Sequence, residues 1–282
     1  ILKTCSLCLS VIIDTVMEKR ESLEKRCLNN RFSQAALPAF LLCLVLLLVT
    51  ACGSGLEEKR SESETHYKLG VVYLNDRNFI MALEELTKAI EVYPEEPSYH
   101  NAIGLAYFAR DMNAKAKRHM EQAIALQPDF SEAYVNLAAV HLVERDWTAA
   151  IDASNKALGN IFYKTPELAH FNVAQAHYNM GKYERAAEGF ATAAKLNPRY
   201  VPAFYNLGLT YEKLKRSKEA ASAYRRVIAI SPGYVEAYFK LGMLLVKSGE
   251  KASAVEVFNS VIELAPGSAE AKSASEYIEL LK

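Results

Sequence analysis

YNLGLTYEKLKRSKEAASAYRRVIAISP, Tyr205 to Pro232, holds five landmarks that recur along this 282-residue chain. Counted from Val201, Gly208 stands eighth, Tyr211 eleventh, Ala220 twentieth, Tyr224 twenty-fourth and Pro232 thirty-second. Prolines at 94, 128, 198, 232 and 266 repeat that last landmark, with three of the four gaps equal to 34 residues. Alignment on them gives six units, 63–96, 97–130, 131–166, 167–200, 201–234 and 235–268. The eighth position reads Gly70, Gly104, Ala138, Ala174, Gly208 and Gly242; the twentieth is alanine in all six, from Ala82 to Ala254.

These columns resemble the tetratricopeptide pattern, a helix–turn–helix of 34 residues. Positions 8 and 20 bring the two helices of a unit together, where glycine or alanine fits. Larger side chains at positions 4, 11 and 24 fill the space on either side. Proline 32 ends the second helix because it lacks an amide donor and clashes with the preceding turn. A single unit cannot bury its own apolar face, so the six are expected to stack into a right-handed superhelix with a concave groove. AEAKSASEYIELLK, residues 269–282, reads as the capping helix. The fold class is an all-α tetratricopeptide-repeat superhelix, or solenoid.

The 33 basic and 33 acidic residues cancel, which leaves no electrostatic footprint for nucleic acid. Six Lys/Arg and four Asp/Glu precede Cys52, leaving 27 and 29 beyond it. All five cysteines lie at or before Cys52, so the repeats hold no disulfide, thiol nucleophile or cysteine metal knuckle. Five of the six histidines (66, 100, 141, 170 and 177) occupy positions 4 or 11, where packing accounts for them. No phosphate loop, dinucleotide turn or His-Glu metal helix is written in the chain. The reading is therefore a protein-binding module with no catalytic residue, metal, cofactor or small-molecule substrate.

From Met17 a net-basic segment leads into ALPAFLLCLVLLLVTAC, residues 36–52. The apolar run is short for a spanning helix and carries Pro38, and its layout matches a secretory signal over residues 1–51. Residues 1–16 precede Met17 and read as an upstream extension. Val49-Thr50-Ala51-Cys52 resembles the bacterial lipobox, which implies cleavage before Cys52 and a lipidated cysteine. The alternative is an uncleaved anchor with an incidental cysteine. No aspartate follows Cys52, which by the sorting rule of such lipoproteins implies the periplasmic face of the outer membrane. Residues 52–62 are expected to tether the repeats, spanning roughly 17 Å as a flexible coil.

First-helix positions 5, 6 and 9 are expected to face the groove. Position 5 carries Tyr67, Phe171, Tyr205 and Phe239, apolar anchors for a partner segment. Position 6 carries Asn136, Asn172 and Asn206 in consecutive units. A ladder of amides donates to and accepts from an extended backbone; the alternative is that the three are merely solvated. The charged clamp for C-terminal carboxylates is absent, since Tyr67 and Val71 stand at its positions.

One interval breaks the rhythm. Between Pro128 and Pro198 the gap is 70 residues, and Phe162 stands where the missing proline belongs. The segment Ala157-Leu158-x-Asn160-x-x-Tyr163-x-Thr165-Pro166-Glu167, followed by Asn172-Val173-Ala174 and Gly181, resembles the outer-membrane lipoprotein pilotins of type IV pilus systems. Members of that family often have a cysteine near Ala176, which this chain lacks. The resemblance implies that the partner is the type IV pilus secretin subunit, helped to the outer membrane and into its ring. The alternatives are an outer-membrane scaffold for peptidoglycan hydrolases or barrel-assembly machinery, and an envelope enzyme or metal carrier.

Overall fold

The computed structural model describes the backbone of residues 36–282 and side chains from Leu56 onward. The signal expected over 1–51 falls largely outside the described residues, as does the side chain of Cys52. Among the described residues the secondary structure is entirely helical: α1 (Ala36–Asn75), α2 (Phe79–Val92), α3 (Pro97–Phe108), α4 (Asn113–Leu126), α5 (Ser131–Val143), α6 (Trp147–Leu158), α7 (Pro166–Asn179), α8 (Tyr183–Leu196), α9 (Val201–Lys213), α10 (Ser217–Ile230), α11 (Val235–Ser248), α12 (Lys251–Leu264) and α13 (Ala269–Leu281). Residues from Glu62 onward form one compact unit. The tether expected as coil is instead helical, within α1, and Leu56 to Glu62 are all exposed. That stretch is rich in Glu, Lys and Arg, good helix formers.

Each repeat pairs one helix with the next, and the pairing explains the small-residue columns. All six alanines at position 20 are fully buried, as are Ala89, Ala123, Ala157, Ala193, Val227 and Val261 seven residues later. Position 8 faces position 24, and the two covary in size. A Cβ on Gly208 would lie 2.6 Å from the Tyr224 ring, and on Gly242 2.5 Å from Phe258. Gly70 and Gly104 meet Leu86 and Met120 in the same way, at 2.6 and 2.9 Å. Where position 24 shrinks to Ser154, position 8 becomes Ala138. Ala174 coexists with the large Phe190 because Gly189 beside it has no Cβ; one placed there would come within 2.8 Å of the Ala174 Cβ.

The turn inside each repeat is equally regular. Residues 77, 111, 145, 181, 215 and 249, all at position 15, adopt a left-handed conformation with φ between 57 and 81°. Two of the six are glycine. The next residue's N–H donates to the position-11 carbonyl at 2.8–3.0 Å in every repeat, closing the first helix with a Schellman-type bond. Asn78 and Asp146 then cap second helices by accepting from Met81 N–H (3.4 Å) and Ala149 N–H (3.0 Å).

The broken interval changes the joint between repeats three and four. α6 ends at Leu158, two residues earlier than its counterparts, and seven residues separate it from α7 where four separate α8 from α9. Pro166, the displaced proline, opens α7 in the first turn, where its missing N–H costs nothing. The helix α13 is started by Ser268, whose hydroxyl accepts from Ala271 N–H at 3.0 Å, and it buries Ala271 and Ala274.

Histidines fill the seam between helices in the first two repeats. His66 Nδ1 lies 2.6 Å from the buried Glu85 carboxylate, which also accepts from Lys88. Lys88 and then His66 hold Glu85 below the usual carboxylate range. One repeat on, the His100 and His119 rings stack with their Nδ1 atoms 3.3 Å apart, and His100 Nε2 meets the Pro94 carbonyl at 3.0 Å. Burial, then His100 and Arg118, push His119 below 6.5. Burial does the same to His170, and burial with Arg185 and Lys182 to His177.

Two tests follow from this packing. Gly208→Ala is expected to lower stability by about 1–3 kcal/mol in urea unfolding, through overpacking against Tyr224. Gly233→Ala, with no atom within 4 Å of its Cβ, is the near-neutral control. The three lowered histidines bind protons more readily in the unfolded chain. Stability is therefore lost as pH falls below about 6.5, while the Glu85 contribution is lost only at more acid pH. The melting temperature should fall between about pH 7.5 and 5.5, and His119→Gln should flatten part of that fall; an unchanged profile refutes it.

Candidate protein-binding face

The first helices form the inner side of the stack. α3 touches α5, α5 touches α7 and α11 touches α13, whereas no pair of second helices approaches to the same extent among the described residues. Side chains at positions 5, 9, 12 and 13 stand on that inner side. In repeats one and two they enclose a cleft of about 680 Å³ lined by Tyr67, Val71, Leu74, Leu105, Phe108 and Phe130, with Asn101 and Glu132 as polar points. Burial raises the Tyr67 phenol above its ordinary value, so it stays a neutral donor at physiological pH. Further along, Tyr178, Leu209, Glu212, Lys213 and Lys240 line a second recess of about 240 Å³. The buried Tyr224 hydroxyl donates to Glu212 at 2.5 Å, and Lys240 Nζ lies 3.8 Å from the same carboxylate. Burial and the Glu212 carboxylate push the Tyr224 phenol well up.

The aromatic residues expected at position 5 are packed against other rings, within their own repeat or in the next element, rather than standing free. Phe171 lies against Phe190 (5.3 Å between centroids) and Tyr200 (5.4 Å). Tyr205 lies against Tyr224 (5.8 Å) and Tyr234 (5.2 Å), and Phe239 against Phe258 (5.9 Å) and Tyr277 (6.5 Å). Tyr67 packs on Tyr99 at 4.8 Å and also borders the first cleft. Each of these rings is half-buried, presenting one edge to the inner side while the other holds the second helix.

The three asparagines do not form a ladder of equivalent free amides. Asn136 donates to Asn101 Oδ1 at 2.9 Å, Asn172 to the Val135 carbonyl at 3.1 Å, and Asn206 to Pro202 in its own helix at 2.9 Å. Asn172 is buried, so its amide ties α7 to α5 instead of offering itself to a partner. Val71 and Leu105 stand at position 9, as expected, but the sequence reading missed positions 12 and 13. Their signal is apolar residues, such as Leu74 and Phe108, outside the columns that packing within a repeat explains.

It also missed what the lengthened joint presents. Ile161 and Phe162 are 87% and 82% exposed, yet their backbone is fixed. Asn160 Oδ1 accepts from Phe162 N–H at 2.9 Å, and its Nδ2 donates to the Asp129 carbonyl at 3.0 Å in the neighbouring joint. Tyr163 beside them is buried against Val135, Ala157 and Ala169. The loop thus holds an apolar pair outward, next to the Asp129–Phe130 turn that borders the first cleft.

Asn172→Ala should cost about 1–2 kcal/mol in chemical unfolding, since it removes a buried hydrogen bond across the α5–α7 seam. Asn206→Ala should cost under about 0.5 kcal/mol. Equal costs would mean that the seam bond carries no weight.

Tetratricopeptide-repeat family profiles match residues 63–96, 102–161 together with 172–235, and 211–276. Among curated proteins, 131 residues are 28% identical to the CTR9 homolog of Arabidopsis thaliana, covering 45% of this chain and 12% of that protein. A second match, 24% over 147 residues, is to the BBSome complex member BBS4 of Bos taurus, covering 52% and 28%. The chain thus matches well under a third of the length of either relative. Among solved structures, PilW, described as a widely conserved type IV pilus biogenesis factor, superposes with a TM-score of 0.69 at 18% identity, covering 76% of this chain and 98% of PilW. Pseudomonas aeruginosa PilF gives 0.68 at 18% identity, covering 79% and 99%. YrrB, described as a repeat protein with an unusual peptide-binding site, gives 0.52 at 20% identity, covering 68% and 97%. At these identities the likeness is one of fold. The period, the buried columns and the matching profiles all lead to one conclusion: the chain belongs to the tetratricopeptide-repeat family, whose members present a helical stack to other proteins.

Proposed function

We propose that this chain is a lipid-anchored scaffold on the periplasmic face of the bacterial outer membrane, assisting outer-membrane localisation and multimerisation of the type IV pilus secretin. The observation that carries this reading is the extent of the likeness to PilW and PilF. It spans 98% and 99% of those chains, at TM-scores of 0.69 and 0.68 against 0.52 for YrrB. The lipobox ending at Cys52 and the lengthened joint at 159–165 support the same reading from the sequence.

In this reading Cys52 carries the lipid that holds the stack at the membrane. An apolar segment of the secretin subunit lies in the cleft of repeats one and two and passes over the rim to Ile161 and Phe162. The rigid loop matters here, because an apolar pair already fixed in place loses little conformational freedom on binding. Asn101 and Glu132 give the segment polar points of register.

The test is the secretin multimer in unboiled membrane samples. Deletion of the gene should convert the multimer to monomer. Cys52→Ala should fail to restore it at the outer membrane, and Val71→Asp, which polarises the cleft without entering a core cluster, should restore it poorly. Multimers that persist after deletion would overturn the reading.

A further inference from the structure

The chain is neutral overall, but its charge is divided between two repeats. Residues 63–96 carry three basic and seven acidic side chains, a net of −4, whereas 201–234 carry six and two, a net of +4. The other four repeats lie between −1 and +1. Half of each excess sits on the second helix of its repeat, with a net of −2 on α2 and +2 on α10.

On the basic repeat that side holds a furrow of about 590 Å³ between α9 and α10. Its floor is Phe204, Leu207, Tyr211 and Ala223, and Arg225 and Arg226 stand along its wall with Glu219, whose carboxylate is taken up by Arg216. The furrow is open because α8 meets it with Ala187 and Ala191, side chains too short to fill it. Arg226 lies over the Phe204 ring at 5.7 Å and reaches the Pro198 carbonyl at 3.4 Å. Neither arginine forms an ion pair among the described residues, whereas Arg216 nearby is held by Glu219.

The acidic repeat carries the complementary relief. Along the outer side of α2, Ile80 is 67% exposed, with exposed Glu84 one turn on, in a surface ion pair with Lys88 at 2.9 Å, and Glu91 beyond it. Ile80 is the most exposed large apolar side chain of that repeat. An apolar side chain flanked by carboxylates faces an apolar furrow flanked by guanidiniums, in the same molecule but on different surfaces.

We propose that the occupant of the furrow is a second copy of this chain, with Ile80 on the furrow floor and Glu84 and Glu91 opposite Arg225 and Arg226. Two different patches meet, so the contact is heterologous and propagates head to tail rather than closing as a symmetric pair. It leaves the inner clefts open and does not depend on what they bind. Copies anchored to one membrane would meet at a raised effective concentration, which lets a weak contact act.

Sedimentation velocity of the full chain in detergent tests this. At about 50 mM salt the protein should show concentration-dependent association, and at about 500 mM, where exposed charges are screened, it should not. Arg225→Glu with Arg226→Glu should weaken self-association at least about tenfold, as should Glu84→Lys with Glu91→Lys; mixing the two variants should restore a complex. Arg110→Glu with Arg118→Glu makes the same change in net charge elsewhere and should leave association intact. Helix content by circular dichroism checks that each variant is folded. A wild type that sediments as monomer at both salts overturns the proposal, as does a control pair that weakens association equally or a low-salt complex that the furrow variants leave intact.

Discussion

In five of the six repeats two helices approach until one carbon atom decides whether they fit. Wherever the facing side chain is Leu86, Met120, Tyr224 or Phe258, the first helix has no Cβ at the contact. The buried alanines at position 20 come from the other helix of the pair and let it close in. Close-packed interiors tolerate neither voids nor overlap. The size of one partner therefore fixes the other, and the stack inherits its spacing from this pair.

The inner face follows from the same economy of space. Because the helix contacts use glycine and alanine, the larger apolar residues that remain are distributed outward. Val71 lines a cleft, and Leu74, Leu105 and Phe108 border that cleft while packing on the core behind it. The half-buried rings at position 5 serve both purposes, with Phe171 braced by Phe190 and Tyr200 while one edge stays inward. A surface built this way is rigid, since each exposed edge belongs to a side chain whose other edge is packed. Rigid apolar surface ordered in advance suits recognition of a flexible segment.

The fold was legible in the sequence because packing within a repeat is local. Gly208, Ala220 and Pro232 each answer a constraint imposed within 34 residues, and that constraint recurs six times. The binding face was less legible for the opposite reason. Asn136, Asn172 and Asn206 share one column, yet their hydrogen bonds go to a side chain, a neighbouring helix and their own helix. A column records what a position tolerates, not which neighbour it meets. The interval around Phe162 could be located by its broken period, but its exposed pair became visible only with Asn160 bonded to Asp129 and Tyr163 turned inward. The helical form of residues 52–62 was missed because Gly53 and Gly55 read as linker, while the Glu and Lys that follow favour a helix.

The turns within the repeats have a bearing on the history of the chain. Arg77, Asp111, Arg145 and Lys215 hold a left-handed backbone that glycine adopts freely, as Gly181 and Gly249 do at the same place. Side chains with a Cβ pay for that conformation in strain, and the main-chain bond to position 11 holds them in it regardless. Four of the six turns therefore carry a strain that the two glycine turns avoid. The turn is dictated by its hydrogen bond rather than by its residue, so the sequence at these corners has been free to drift while the architecture stayed fixed.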